Sequence, residues 1–257
     1  MICALEKLPC EESLWQRLEQ ACPAEAAAIW AEQVVLGYGL ACLWQQKNED
    51  QTTALLLRNT MGGLTLALTE QSDPDELAEF LQVIGWSSLT LPGGWSKKIH
   101  LPDTQTEDCL VMEWDDADAP MPFGWQVGEL SAAKLLENTL SAFGDVIPKW
   151  EQEEWLWAFG LRMRRGKAMA AALRQREELL AAAALSHIGR IGALVGFVGT
   201  PPAQRGNGYG RRLAAALAAH AKQQGLRPLL CCKQQLEKLY STAGFVTIGQ
   251  QTLVRPQ

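Results

Sequence analysis

The segment Arg205–Gly210 reads Arg-Gly-Asn-Gly-Tyr-Gly and constrains this chain more than any other feature. It follows a predicted strand, Ala193–Thr200, and precedes a predicted helix, Arg211–Gln224. Glycines at alternate positions allow a tight turn whose N–H groups point in one direction. The helix that follows adds its own unpaired N–H groups and the positive end of its dipole. The segment is therefore predicted to be an anion-binding turn.

Spacing separates this turn from the two commoner glycine-rich loops. A Walker A loop needs Gly-x-x-x-x-Gly-Lys-Ser/Thr, and a dinucleotide-binding loop needs Gly-x-Gly-x-x-Gly. Here Gly206 and Gly208 are followed by Arg211 at the position of the third glycine. The two nucleotide-binding folds that carry those loops are excluded on this ground.

A second motif lies about thirty residues downstream, where Leu239–Phe245 reads Leu-Tyr-Ser-Thr-Ala-Gly-Phe. It is similar to the Leu-Tyr-x-x-x-Gly-Phe signature of the GNAT superfamily of acyl-CoA-dependent N-acyltransferases. Arg205, Gly208 and Gly210 fit the Gln/Arg-x-x-Gly-x-Gly/Ala motif of the same family. In this order and at this separation, the two motifs resemble a GNAT domain over residues 122–257. The resemblance implies an α/β fold with a mixed sheet.

The resemblance also implies that acetyl-CoA is the acyl donor. In the family, N–H groups at the end of the strand before the turn bind the pantetheine arm and polarise the thioester, and the turn binds the pyrophosphate. Charge-assisted hydrogen bonds from arginine would add to the main-chain donors. The matching cofactor-binding candidates are Val198, Gly199, Thr200, Gln204, Arg205, Gly206, Asn207, Gly208, Tyr209, Gly210 and Arg211.

Tyr240 matches the tyrosine that protonates the departing thiolate in family members, and it is the catalytic candidate. A phenol with a pKa of about 10 stays protonated at neutral pH. The alternative is a tyrosine that packs on the sheet and hydrogen-bonds the CoA sulfur without moving a proton. No general base is identified, because the segment Ile191–Val198 contains no acid and His187 lies at the hairpin end away from the turn.

The resemblance implies an N-acetyltransferase. A primary amine of a small-molecule or peptide acceptor would attack the thioester of acetyl-CoA directly. The missing acid in the strand before the turn supports an alternative, a non-catalytic sensor of acyl-CoA or a regulatory interaction protein. Dispersed cations without interleaved aromatic residues argue against a nucleic-acid partner. The acceptor, the acyl chain and the oligomeric state, a homodimer included, are left open.

A change of charge divides the chain. Residues 1–118 carry 20 acidic and 6 basic side chains, whereas residues 119–257 carry 9 acidic and 17 basic ones. Between the halves, Asp115–Pro122 is acidic and contains prolines, which disfavour helix before themselves. We predict two domains, 1–118 and 122–257. The basic second half suits a polyphosphate cofactor.

The first domain shows the order strand, strand, helix, strand, which is that of half an acyltransferase fold. The strands are Thr53–Leu57, Leu64–Thr69 and Ser87–Leu91, and the helix runs from Asp73 to Ile84. Acidic side chains at the helix start cap the helix and would repel a pyrophosphate. This domain is predicted to be a degenerate GNAT-like domain without a CoA site, or else an unrelated α/β domain.

Two alanine-rich segments of the second domain, 167–174 and 178–187, have a high intrinsic helix propensity. We predict strands instead. Tight turns at 174–177 and 189–192 would then place both segments beside the strand that enters the glycine-rich turn. Tertiary context must override propensity for this prediction to hold.

Other elements of the second domain follow from periodicity. A strand is predicted at Gly124–Leu130, and helices at Ser131–Ala142 and from Pro148 to about Leu161. In the second helix, Trp150 and Trp157 are predicted to face the core. The chain is predicted to end in a hairpin around residue 249.

Seven cysteines are scattered along the chain without the paired spacing of a zinc site. We predict reduced, mostly buried thiols, including the adjacent Cys231 and Cys232, and no bound metal. No apolar run reaches the roughly 18 residues of a membrane span, and no targeting segment is recognised at the start. The sequence therefore predicts a soluble, cytoplasmic protein that is not bound to a membrane.

Overall fold

The computed structural model of this chain describes residues 1–37, 40–115, 125–144 and 147–257. The described residues divide into two compact units, one formed by Met1–Val111 with Ile248–Gln257 and the other by Met112–Thr247. The segment 248–257, predicted to end the second domain, therefore groups with the first unit. Of the predicted boundary segment, residues 116–122 lie outside the described residues.

Both halves of the chain contain helices and strands. Before residue 115 the elements are β1 (Ile2–Leu5), α1 (Glu12–Ala21), α2 (Pro23–Leu36), β2 (Cys42–Asn48), β3 (Gln51–Arg58), β4 (Gly63–Leu68), α3 (Pro74–Ile84), β5 (Ser88–Pro92) and β6 (Thr104–Trp114). After residue 124 they are β7 (Trp125–Glu129), α4 (Ala132–Phe143), α5 (Lys149–Arg164), β8 (Met169–Gln175), β9 (Glu178–Ile188), β10 (Gly192–Gly199), α6 (Tyr209–Gln223), β11 (Arg227–Lys233), α7 (Glu237–Ser241) and β12 (Phe245–Pro256).

Apart from an additional short helical segment at Pro202–Gln204, the two halves repeat one order of elements: a strand, two helices, three strands, a helix, a strand, a short helical segment and a long strand. The short helical segment is Trp95–Lys97 in the first half and includes α7 in the second. In the first unit the strand order is β1-β2-β3-β4-β5-β12-β6, and in the second unit it is β11-β10-β9-β8-β7. β4 pairs with β5 in parallel and β10 pairs with β11 in parallel, whereas the hairpins that precede them are antiparallel. The predicted mixed α/β class is therefore confirmed.

The predicted elements of the first unit correspond to β3, β4, α3 and β5. α3 begins after Asp73, whose carboxylate accepts hydrogen bonds from the N–H groups of Asp75 and Glu76. Its apolar face packs with β4 and β5 in a fully buried cluster that includes Leu66, Leu77 and Leu89. The two helices and the strands that precede this stretch were not predicted.

The alanine-rich segments form strands, as predicted. Ala170–Leu173 on β8 and Ala181–Leu185 on β9 are all at most 1% exposed. Residues of β9 contact both α6 and α4, so helices cover this part of the sheet. Small side chains allow those helices to approach closely, and burial in the sheet outweighs the helix propensity of alanine.

Two predictions in the second half of the chain are wrong. β12 continues without a hairpin, because residues Gln251–Val254 pair with β5 and extend the strand through residue 249. Trp157 is 42% exposed, and the buried face of α5 is formed by Trp155, Ala158, Phe159 and Arg162 instead. The helix itself was predicted correctly, but the face that it buries was not. The Trp150 side chain and Gly124 lie outside the described residues.

None of the seven cysteines forms a disulfide. Cys22 and Cys232 are buried, but Cys10 and Cys42 are exposed and the other three are half-buried, so the prediction of mostly buried thiols is wrong. Within the described ranges, no helix combines the length and apolar character needed to cross a membrane.

Candidate functional site

The glycine-rich segment forms a tight turn between β10 and α6. Gly206 and Gly208 have φ of +83° and +73°, in the left-handed region that glycine adopts without steric cost. Asn207 stabilises the turn by donating from its side chain to the carbonyl of Gln204 at 3.2 Å. Two glycines are therefore needed by the backbone conformation itself.

The N-terminus of α6 is open. Its N-cap residue is Gly208, and no side chain caps the helix. The Gly208 carbonyl accepts a hydrogen bond from the Arg212 N–H group, one turn into the helix, at 3.1 Å. As at the start of any α-helix, the N–H groups of the first turn have no partner within the helix, and they can bind an anion together with the positive end of the helix dipole.

Gly210 is required by close packing rather than by its dihedral angles. A Cβ at this position would lie 3.0 Å from Thr200 Oγ1 and 3.2 Å from Val198 Cγ1. The absence of a side chain lets the start of α6 approach the end of β10. Residues of both elements thereby come to line one cavity.

The two arginines of the motif have different surroundings. Arg205 Nη2 donates to the carbonyl of Ala142 at 2.6 Å, near the end of α4, and Arg205 Nε donates to the carbonyl of Thr200 at 3.4 Å. The Arg211 guanidinium instead lies over the turn, with Nη2 3.5 Å from the place of a Cβ at Gly208. Arg211 is therefore the better candidate to bind an anion, and the Arg205 side chain fastens the turn to α4.

A cavity of about 440 Å³ connects these features. Its lining includes ten of the predicted site residues: Val198, Thr200, Arg205, Gly206, Asn207, Gly208, Tyr209, Gly210, Arg211 and Tyr240. Leu239, the neighbour of Tyr240 in the second motif, also lines the cavity and was not among the predicted site residues. The two motifs recognised in the sequence thus meet around one space.

Two predicted cofactor-binding residues lie outside the cavity lining. The Gln204 side-chain amide is hydrogen-bonded to the Glu178 carboxylate. Gly199 faces α4, where its carbonyl accepts a hydrogen bond from Asn138 Nδ2 at 3.3 Å. Sequence spacing placed both residues next to the site but could not show which way each one faces.

The end of β10 departs from regular pairing beside the cavity. Parallel pairing with β11 runs from Gly192 to Val195, and the antiparallel register with β9 shifts between Gly196 and Gly199. Phe197, within this irregular stretch, has a φ of +52°. Main-chain groups beyond Val195 are thus free of the parallel ladder, and an extended ligand can pair with them as an added strand would.

Tyr240 is 7% exposed and packs edge-to-face against Phe245, with ring centroids 6.0 Å apart. Burial raises the pKa of Tyr240 to about 12, and the nearby Cys232 adds to the effect. The phenol therefore stays protonated at all pH values below this, as a hydrogen-bond donor at the cavity wall. None of the described residues that line the cavity carries a carboxylate or an imidazole.

The corresponding turn of the first unit, between β4 and α3, is closed to anions. Asp73 Oδ1 accepts hydrogen bonds from Asp75 N and Glu76 N at 3.0 and 3.2 Å. Gln46 Oε1 accepts from Asp73 N at 2.9 Å. Protein groups thus use the donors at the start of α3, and the carboxylates oppose a further negative charge.

Comparison with known proteins agrees with this geometry. The model of the acetyltransferase (GNAT) family matches residues 132–245. These residues are a GNAT domain. A search of the curated proteins finds no match to the chain.

Solved structures of GNAT proteins share the fold over the whole chain. An acetyltransferase of the GNAT family from Colwellia psychrerythraea covers all of this chain and is itself covered completely, with a TM-score of 0.59 and 14% identity. A GCN5-related N-acetyltransferase from Sphaerobacter thermophilus has a TM-score of 0.60, 15% identity and coverage of 99% and 95% of the two chains. A tandem GNAT protein from the clavulanic acid biosynthesis pathway has a TM-score of 0.59, 12% identity and coverage of 99% and 97%. At these identities the likeness concerns the fold.

Proposed function

We propose that the GNAT domain transfers an acetyl group from acetyl-CoA to a primary amine. The observation that carries this proposal is that three features meet at one cavity. They are the start of α6 without a capping side chain, the end of β10 that is not paired with β11, and the Tyr240 hydroxyl. An anion-binding turn alone would fit many ligands. A polar turn for a pyrophosphate, a strand edge for an amide-containing arm and a hydrogen-bond donor near its end together fit an acyl-CoA.

The residues present suit the parts of CoA. The N–H groups at the start of α6 and the Arg211 guanidinium would bind the pyrophosphate. Main-chain groups of Val198 and Thr200 would pair with the pantetheine arm, and such preorganised backbone donors also stabilise a developing oxyanion. When bound, acetyl-CoA supplies an activated acyl group to an attacking amine, and the carbon–nitrogen bond replaces the carbon–sulfur bond.

Tyr240 would donate a hydrogen bond to the departing sulfur. With its pKa raised to about 12, this phenol is a weaker acid than a thiol, whose ordinary pKa is about 8.5. A tyrosinate formed by complete proton transfer is therefore disfavoured, and the hydroxyl stabilises the charge on sulfur as it develops. The predicted general acid is thus proposed in a narrower role, as a donor to the leaving group.

The proposed acetyltransferase activity is tested by measuring the release of the CoA thiol from acetyl-CoA in the presence of a panel of amines, polyamines and peptides. We expect turnover with at least one primary amine. Because the lining lacks a carboxylate or imidazole, an acyl-CoA-binding protein without turnover is the second candidate. Binding of CoA with no turnover of any acceptor would favour that candidate.

Tyr240→Phe is expected to lower kcat by about a hundredfold, which is the usual loss when one preorganised donor to developing charge is removed. The KM for acetyl-CoA and the melting temperature should change little, because the ring contact with Phe245 is kept. Since burial holds the proton on Tyr240 up to a pH of about 12, the wild-type kcat should show no tyrosine-dependent fall between pH 7 and 10. Equal kcat for both proteins would rule out this role, whereas an alkaline fall in the wild type that the variant lacks would contradict the raised pKa of Tyr240.

A further inference from the structure

The side chain of Asn138 connects α4 to the end of β10. It is 4% exposed, and its Nδ2 donates to the Gly199 carbonyl at 3.3 Å. Its Oδ1 is buried without a hydrogen-bond partner among the described residues. An amide that leaves a buried acceptor unpaired costs free energy, and a similarly sized apolar side chain would avoid that cost. The hydrogen bond to the Gly199 carbonyl is a favourable polar interaction that offsets part of this cost.

The absence of a side chain at Gly199 leaves room for this contact. A Cβ at Gly199 would lie only 2.5 Å from Asn138 Nδ2 and 3.2 Å from the Cβ of Ala142. Gly199 does not have a positive φ, so its backbone conformation does not explain the glycine. Close approach of α4 does explain it. Arg205, which donates to the Ala142 carbonyl, is a second connection between α4 and the segment that follows β10.

Holding the Gly199 carbonyl also fixes the N–H group of Thr200. The two groups belong to the same planar trans peptide, so they point in opposite directions. Because the carbonyl points toward Asn138 on α4, the Thr200 N–H points away from α4. Thr200 is one of the residues that line the cavity.

We propose that Asn138 is a positioning residue, which orients the Gly199–Thr200 peptide so that the Thr200 N–H donates to a carbonyl oxygen of the bound acyl-CoA arm. This inference rests on the proposed function. It assigns a role in cofactor binding to a buried residue of α4 that does not itself line the CoA cavity.

The test is a double-mutant cycle on CoA affinity, measured by titration calorimetry with the full chain. Asn138→Leu removes the donor at similar volume, and Thr200→Pro removes the N–H itself. Each is expected to raise the dissociation constant of CoA about tenfold, as expected for one lost hydrogen bond. The double variant should bind no more weakly than Thr200→Pro alone, because Asn138 acts through an N–H that is then absent.

Two controls separate positioning from general damage. Thr139→Val alters the next residue of α4, which is also buried and whose hydroxyl donates to the Leu135 carbonyl of its own helix. It should leave the dissociation constant of CoA unchanged, even if it lowers the melting temperature as much as Asn138→Leu does. Thr200→Val keeps the N–H and measures the share of the Thr200→Pro effect that comes from the hydroxyl.

The outcomes are distinct. If the wild type does not bind CoA, the proposed function fails and this inference fails with it. If the wild type binds CoA and Asn138→Leu binds it equally well, the positioning role alone is overturned. Additive losses in the double variant would also overturn it, because two independent effects would then account for them.

Discussion

Replacing Gly208 with tryptophan is expected to weaken CoA binding by about a hundredfold or more. Gly208 is the N-cap residue of α6, has no capping side chain, and has a φ of +73°. A side chain at this position is therefore strained, and it projects beside the Arg211 guanidinium. One or two charge-assisted hydrogen bonds to phosphate would be lost, each contributing about 1.5–3 kcal/mol. Titration calorimetry and the thermal shift with CoA both measure this loss.

Gly225→Trp is the matched control. Gly225 lies just beyond the other end of α6 and has a φ of +76°, and no atom lies within 4 Å of the place of its Cβ. The backbone strain should therefore be similar for the two variants, while the CoA cavity is altered only by Gly208→Trp. Equal CoA affinities for the two variants would show that the turn does not bind this ligand.

Glu25→Gln is expected to change the pH dependence of stability. Glu25 lies in the first turn of α2, is 2% exposed, and has a buried Oε1 without a hydrogen-bond partner in the described structure. Burial raises the pKa of Glu25 to about 7. A raised carboxyl pKa favours the neutral form in the folded state, so its stabilising contribution is present below a pH of about 4.5 and is lost as the pH rises through about 7.

From this shift, the free energy of unfolding of Glu25→Gln relative to the wild type should rise by roughly 3 kcal/mol between pH 4.5 and pH 7.5. The comparison across pH removes any constant difference between a buried acid and a buried amide. Glu79→Gln, which alters an exposed glutamate of α3, is the control and should follow the wild type at both pH values. A constant gap between Glu25→Gln and the wild type would contradict the burial of an ionisable Glu25.

Features that depend on local backbone geometry and local charge could be predicted from the sequence. The alternate glycines of the turn are required by positive φ at Gly206 and Gly208 and by packing at Gly210, so their spacing predicts the turn itself. The acidic start of α3 similarly predicts a closed turn in the first unit. The alanine-rich strands could be predicted only by arguing from the order of the neighbouring elements, since their local propensity favours helix.

What the sequence could not supply were contacts between distant segments. The path of β12 depends on its pairing with β5, whose residues lie far earlier in the chain. The Arg205 side chain faces the carbonyl of Ala142, and Asn138 faces Gly199, although neither pair is marked by any motif. The pKa of Tyr240 depends on burial, and this narrows its proposed role from proton transfer to hydrogen bonding.

We expect the chain to bind acyl-CoA at one place, the turn that starts α6. Titration calorimetry of the full chain with acetyl-CoA tests it most directly, because the measurement gives affinity and stoichiometry together. We expect one molecule bound per chain, since the turn at α6 is open and the turn at α3 is closed by Asp73. No binding would show that the turn at α6 is not a CoA site, and two molecules bound per chain would show that the turn at α3 also binds CoA.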